Sequence, residues 1–105
     1  MRVCVLVEPK FPAPPEMMMP LMQGFVAWRE KWRSKMPVFE FWAGRGGGMG
    51  IMDVANETEL SQMMMEFPFS QFSEIEARPI VNGDDALKRL IATMQEMMAQ
   101  MGGAK

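Results

Sequence analysis

Glu74, Glu76 and Arg78 stand at alternate positions of one short run, a spacing that could do chemistry. Alternate residues of a strand share a face, so both carboxylates and the guanidinium point one way, and Ile75 and Ala77 point the other. If that face lines a cavity, desolvation raises a carboxyl's pKa and suits it to act as a general base. Arg78 would then orient a carboxylate or an enolate. If the face is open, the same three residues are the solvated side of an edge strand. Glu40, between Phe39 and Phe41 and close to Trp42, is a second candidate base. It either faces a lumen or pairs with an arginine such as Arg45. Glu8, at the mouth after the first apolar run, is the third. Phe39, Phe41 and Trp42 would pack a planar apolar ligand, with Arg45 and Glu8 at its edge, or would serve as core.

Composition limits the chemistry further. The 105 residues include no histidine and no tyrosine, which removes the commonest acid-base side chain and the phenolic donor. A net charge of −2 without a basic stripe argues against nucleic acid or an anionic membrane as partner. No window approaches the ~20 apolar residues of a membrane span, and the N-terminal run is too short for a signal peptide, so the expected location is cytoplasmic. Cys4 is the single cysteine and is read as an inert buried thiol. The 15 methionines suit a plastic core or interface. Thioethers also favour Cu(I), but consecutive residues of a helix point ~100° apart, so runs such as Met63-Met64-Met65 do not converge on an ion. Neither a metal nor an organic cofactor is expected.

These side chains need elements to hold them. Arg2 to Glu8 is apolar on both faces and reads as an interior strand. Lys10 to Pro15 is a proline-rich loop. A helix follows, with Pro15 or Pro20 in its first turn. Leu21, Phe25, Trp28 and Trp32 form its apolar stripe, and Pro37 stops it. Val38 to Ala43 is a second strand, and Gly44 to Gly48 reverses the chain. That glycine run is not a phosphate loop, because no helix N-terminus and no Lys-Ser/Thr follow it. Met49 to Val54 returns as a third strand. Asn56 and Glu59 make a capping-box pair ahead of a short helix that Pro68 ends. Phe72 to Ile80 is the fourth strand, and residues 84 to 101 form a further helix with Asp84 and Asp85 at its N-terminal end.

The order is βαββαβ, a ferredoxin-like α+β unit with an antiparallel four-stranded sheet and an appended C-terminal helix, all in one domain spanning 1–105. Two helices on one side of such a sheet leave the other side bare. Here that side carries apolar residues whichever set of alternating positions is chosen, Val3/Val5/Val7 or Cys4/Leu6. An exposed apolar sheet of that size needs a cover. A second copy of the chain, sheet against sheet, is the expected cover, leaving a cavity between sheets or within each half. The Met-rich C-terminal helix is expected on a neighbouring subunit, over the cavity, or on its own sheet.

Met52-Asp53-Val54, the capped helix with Glu59-Leu60, the corner Phe67-Pro68-Phe69 and the strand Ser73-Glu74-Ile75-Glu76 together resemble the muconolactone isomerase-like proteins of the dimeric α+β barrel superfamily. The resemblance covers about 35 residues strongly and residues 2 to 43 only in element order. It implies a homodimer or larger ring, an apolar pocket, and cofactor-free proton transfer on a small lactone; the residues themselves offer Glu40, Glu74 or Glu76 as base for such a transfer on a small apolar or aromatic-derived acid or lactone. The resemblance also implies two alternatives on the same scaffold: a non-catalytic protein for small-molecule binding or assembly, and a cofactor-free monooxygenase or cyclase. The chain departs from the family in lacking histidine around its second strand.

Overall fold

A computed structural model describes residues 1–103. Strand β1 (Arg2–Pro9) leads through a proline loop to helix α1 (Pro15–Trp32), which tightens into a 3-10 turn at Arg33–Lys35. Strands β2 (Val38–Phe41) and β3 (Gly48–Asp53) form a hairpin, followed by α2 (Glu57–Glu66), a 3-10 turn at Ser70–Phe72, β4 (Ser73–Ile80) and α3 (Gly83–Gly103). The sheet order is β2-β3-β1-β4 and every neighbouring pair is antiparallel. The ferredoxin-like α+β order expected from the sequence is therefore the observed one, with the extra helix after it.

Local chemistry sets the boundaries. Pro15 occupies the first position of α1, where a missing N–H costs nothing, and Pro20 lies inside the helix rather than starting it. β2 ends two residues earlier than the sequence suggests. The Trp42 N–H donates to the Gly47 carbonyl at 3.0 Å, so Trp42 and Ala43 belong to the turn. Gly44 and Gly47 take positive φ there (78° and 88°), a region that disfavours a Cβ. α2 carries the expected capping box. Asn56 Oδ1 accepts from the Glu59 N–H at 3.0 Å, and Glu59 Oε1 accepts from the Ala55 N–H at 3.1 Å. α3 begins one residue before the expected start, where Asn82 Oδ1 accepts from the Asp85 N–H at 3.0 Å.

The register assigns every strand residue to a face. Val3, Val5 and Val7 lie opposite Met52, Gly50 and Gly48, and the last two lie opposite Phe39 and Phe41. This is the face under the helices. Val3 and Val5 are buried against Trp28, Trp32, Met36, Met63 and Phe67, the heart of the core. The expected stripe of α1 holds only in its C-terminal half. Trp28 and Trp32 are buried, while Leu21 and Phe25 are half-buried because that end of the helix overhangs a hollow. The other sheet face has no helix over it among the described residues. Cys4, Leu6, Met49 and Ile51 at its centre and Val38 on the edge strand β2 are half-buried. Glu40, Glu76 and Arg78 stand at its two edges, in the rungs Glu40–Met49–Leu6–Glu76 and Val38–Ile51–Cys4–Arg78.

The two outer helices are tied to each other as well as to the sheet. Lys31 and Glu66 pair at 2.6 Å, as do Lys35 and Glu59. In both cases the lysine hydrogen bond is the largest of the influences that hold the carboxyl below its ordinary pKa. α3 stands apart. None of its side chains joins the core, and every residue from Leu87 to Gly102 is exposed. The described chain consequently measures 72 × 25 × 23 Å. No helix among the described residues is long and apolar enough to cross a membrane.

Candidate functional site: an apolar pocket under the first helix

A hollow of about 440 Å³ opens between the helix-covered face of the sheet and the N-terminal half of α1. Its floor is β3 and the hairpin, where Gly46, Gly47, Gly48 and Gly50 present backbone in place of side chains. Two of these glycines are obligatory. A Cβ at Gly48 would lie 2.2 Å from the Glu40 carbonyl oxygen, and one at Gly47 would lie 2.4 Å from that of Val7. The loop after β1 reaches the rim, carrying Phe11 and Pro12. It is fixed there by the N–H groups of Lys10 and Phe11, which both donate to the Phe72 carbonyl, at 2.9 and 3.1 Å.

Aromatic rings build the walls. Phe25 projects from α1 into the middle of them, with its ring centroid 5.8 Å from Phe39, 6.1 Å from Phe41, 5.2 Å from Phe67 and 5.8 Å from Phe69. All four contacts are edge-on or tilted, none face-to-face, in keeping with the aromatic quadrupoles. The Arg29 guanidinium caps the Phe39 ring from outside at 4.7 Å. Phe41 is 62% exposed, which leaves one ring face free at the mouth. Among the described residues, Glu40 is the one ionisable residue of the lining, and Ser73 is the other that carries a polar side-chain group, apart from the indole of Trp28. The Trp28 N–H is already committed to the Met63 carbonyl.

The residues singled out from the sequence divide sharply around this pocket. Phe39, Phe41 and Glu40 line it. Glu40 does so from β2, an edge strand, in register with Met49 and therefore on the opposite face from its two phenylalanine neighbours. Glu74, Glu76 and Arg78 share one face, as expected, but it is the open face of β4, and none of the three borders the pocket. β4 is the other edge strand, and all three are exposed. Glu74 pairs with Lys10 at 3.0 Å and Glu76 with Arg78 at 2.6 Å. Arg45 does not pair with Glu40. It grips Glu8 through two bonds of 3.0 and 3.1 Å, because the hairpin brings it beside the end of β1. Its guanidinium also lies 5.6 Å from the Trp42 ring centroid, so Trp42, Arg45 and Glu8 form a cluster outside the lining. The Trp42 indole N–H is buried there without a hydrogen-bond partner among the described residues.

Several lining residues escape a reading of the sequence. Phe25 and Phe67 read as core, and Gly48 and Gly50 read as turn and strand filler. The available signal was a pair of glycines two apart in a strand, which marks a close approach or an open space above one face. Phe11, in a loop with no periodicity, had none.

No family model matches the chain, and neither does any curated protein sequence. Solved structures do. A crystal structure of muconolactone isomerase matches with a TM-score of 0.71 at 17% identity, over 78% of this chain and 90% of that one. The chain has the fold of muconolactone isomerase. A second structure with this fold is 5-chloro-2-hydroxyhydroquinone dehydrochlorinase from Burkholderia phenoliruptrix, solved in complex with 2,5-dihydroxybenzoquinone. It matches with a TM-score of 0.63 at 15% identity, over 81% of this chain and 98% of that one. The resemblance carried by the motifs from Met52 to Glu76 thus holds at the level of architecture.

Proposed function

We propose that the protein binds a flat, largely apolar ring compound derived from an aromatic acid, and moves a proton on it without a cofactor. The observation that carries this reading is the composition of the pocket wall: a cage of phenylalanines and glycine backbone, with Glu40 at its edge on β2 and its side chain on the other face of the sheet. Its volume of about 440 Å³ suits a small ring and lies at the small end of ligand sites. Structures of the same fold carry names that refer to a lactone isomerase and to a dehydrochlorinase bound to a quinone, which supports a ring compound as ligand.

In this reading the phenylalanines hold the ring and exclude water. Glu40 borders the pocket from an edge strand with its side chain on the open face, so it acts as base only on a ring edge that reaches past β2; there it takes a proton from the carbon beside a ring carbonyl, and the electron pair shifts into the conjugated system. The protonated Glu40 then returns the proton at the far carbon, so the double bond moves with no net change of electrons. Glu74, Glu76 and Arg78, on the same open face as Glu40 but across the sheet on β4, would take part only in a cavity bounded by that face, where stacking of two copies would enclose all four.

A non-catalytic binding protein is the second reading. It is favoured by the position of Glu40 on the opposite face from Phe39 and Phe41 and by the lack of a second acid-base group in the lining. Solvent deuterium exchange separates the two. With small ring lactones in D2O, proton transfer incorporates deuterium at the activated carbon, and Glu40→Gln slows this by about 100-fold or more. A compound that binds the pocket and exchanges no faster than in buffer would leave binding as the function.

A further inference from the structure

We infer that α3 is an association helix whose occupant is the same helix of a second copy of the chain. Leu87, Leu90, Met94, Met97 and Met101 are spaced 3, 4, 3 and 4, the heptad spacing that keeps one seam of a helix turned towards another helix. Ile91 and Met98 widen the seam on one side. These seven side chains are between 49% and 72% exposed, and the body of the chain covers none of them. At roughly 100 Å² of apolar surface for each such residue when fully buried, the stripe approaches the ~800 Å² per partner of a stable interface. A helix of 21 residues with this much uncovered apolar surface is marginal alone in water.

Charge favours self-pairing. The positions beside the seam are Ala86, Thr93 and Gln100 on one side and Asp84, Ile91 and Met98 on the other. Beyond the first turn, where Asp84 stands, two such seams approach without meeting a like charge. Lys88, Arg89 and Glu96 lie on the outer surface, where they stay solvated. Asp84 and Asp85 lie in the first turn, favourable for their own helix. The open sheet face is a poorer seat for this stripe, because Glu40 flanks one edge and Glu76 and Arg78 the other. The inference does not depend on what the pocket binds.

Sedimentation of the full chain at micromolar concentration tests it, together with two variants. The wild type is expected to associate, and Leu90→Asp/Met97→Asp to sediment at half the wild-type mass or less. α3 contributes nothing to the core, so near-ultraviolet circular dichroism of the buried tryptophans should be unchanged. Met94 is the middle seam position, so Cys4→Ser/Met94→Cys should oxidise to a covalent dimer through residue 94. A monomeric wild type would overturn the inference. So would an assembly in which position 94 forms no cross-link, because the helix would then be seated elsewhere on the partner.

Discussion

The Trp28 indole N–H donates to the Met63 carbonyl at 2.9 Å, a buried bond between α1 and α2. Met63 lies in the last turn of α2, where a carbonyl has no regular intrahelical partner. The Phe67 N–H that might have served it turns instead to Met64. Trp28 therefore completes the end of α2 and also anchors the wall that carries Phe67.

Trp28→Phe keeps most of the ring and removes this donor. The Met63 carbonyl is left buried and unpaired, which costs about 1–3 kcal/mol. Thermal denaturation should show the midpoint falling by roughly 4–8 °C for each kcal/mol lost, in a domain of this size.

Phe25 lies within 6.1 Å, centroid to centroid, of five other aromatic rings. Phe25→Ala should destabilise the fold by about 3 kcal/mol and abolish binding of apolar ring compounds. Phe41→Ala, at a 62% exposed position, should weaken binding with little change in stability. Calorimetric titration and denaturant unfolding on the two variants separate the wall of the pocket from its mouth.

Gly50 lies on the pocket floor, and a Cβ there would sit 3.3 Å from the Val38 carbonyl oxygen. Gly50→Leu should fill the hollow and eliminate ligand binding, with about 1–3 kcal/mol of overpacking cost. Retention of wild-type affinity by a folded Gly50→Leu protein would remove this hollow as the binding site.

The pH dependence of stability should lie in the acid range. Glu59 is held below its ordinary pKa first by Lys35 and then by the Ala55 N–H. A lowered folded-state pKa means the contribution is fully present above the unfolded value, ~4.3, and is lost as pH falls through the folded value. Glu66 follows the same sign, mainly through Lys31. Urea midpoints measured from pH 7 to pH 3 should drop chiefly below about pH 4. Glu59→Gln should be less stable at neutral pH and show a shallower drop.

The architecture was legible because its joints are chemical. Asn56 and Glu59 announce a helix start, Pro37 and Pro68 announce stops, and the β-branched run from Val3 to Val7 announces a central strand. The face of each strand was only half legible. Alternation puts Glu74, Glu76 and Arg78 together, but nothing local says which side the helices cover. That depends on the register of β4 against β1, a contact between residues about seventy positions apart. For the same reason Arg45 could be matched with a carboxylate in principle and yet choose Glu8, which only the folded hairpin brings near. The pocket itself was the least legible feature. It is made where side chains are missing, above glycines.

That floor of glycine has a consequence for how the protein can change over time. Every substitution at Gly46, Gly47, Gly48 or Gly50 adds atoms, and none removes them. Drift at these positions can only make the hollow shallower, and at two of them it breaks the hairpin first. Deeper or broader ligands have to be accommodated from the roof, where the flexible side chains of Met18, Met22 and Met64 give way. The sheet side of the pocket sets a fixed lower surface, and the methionines of the helices adjust the height above it.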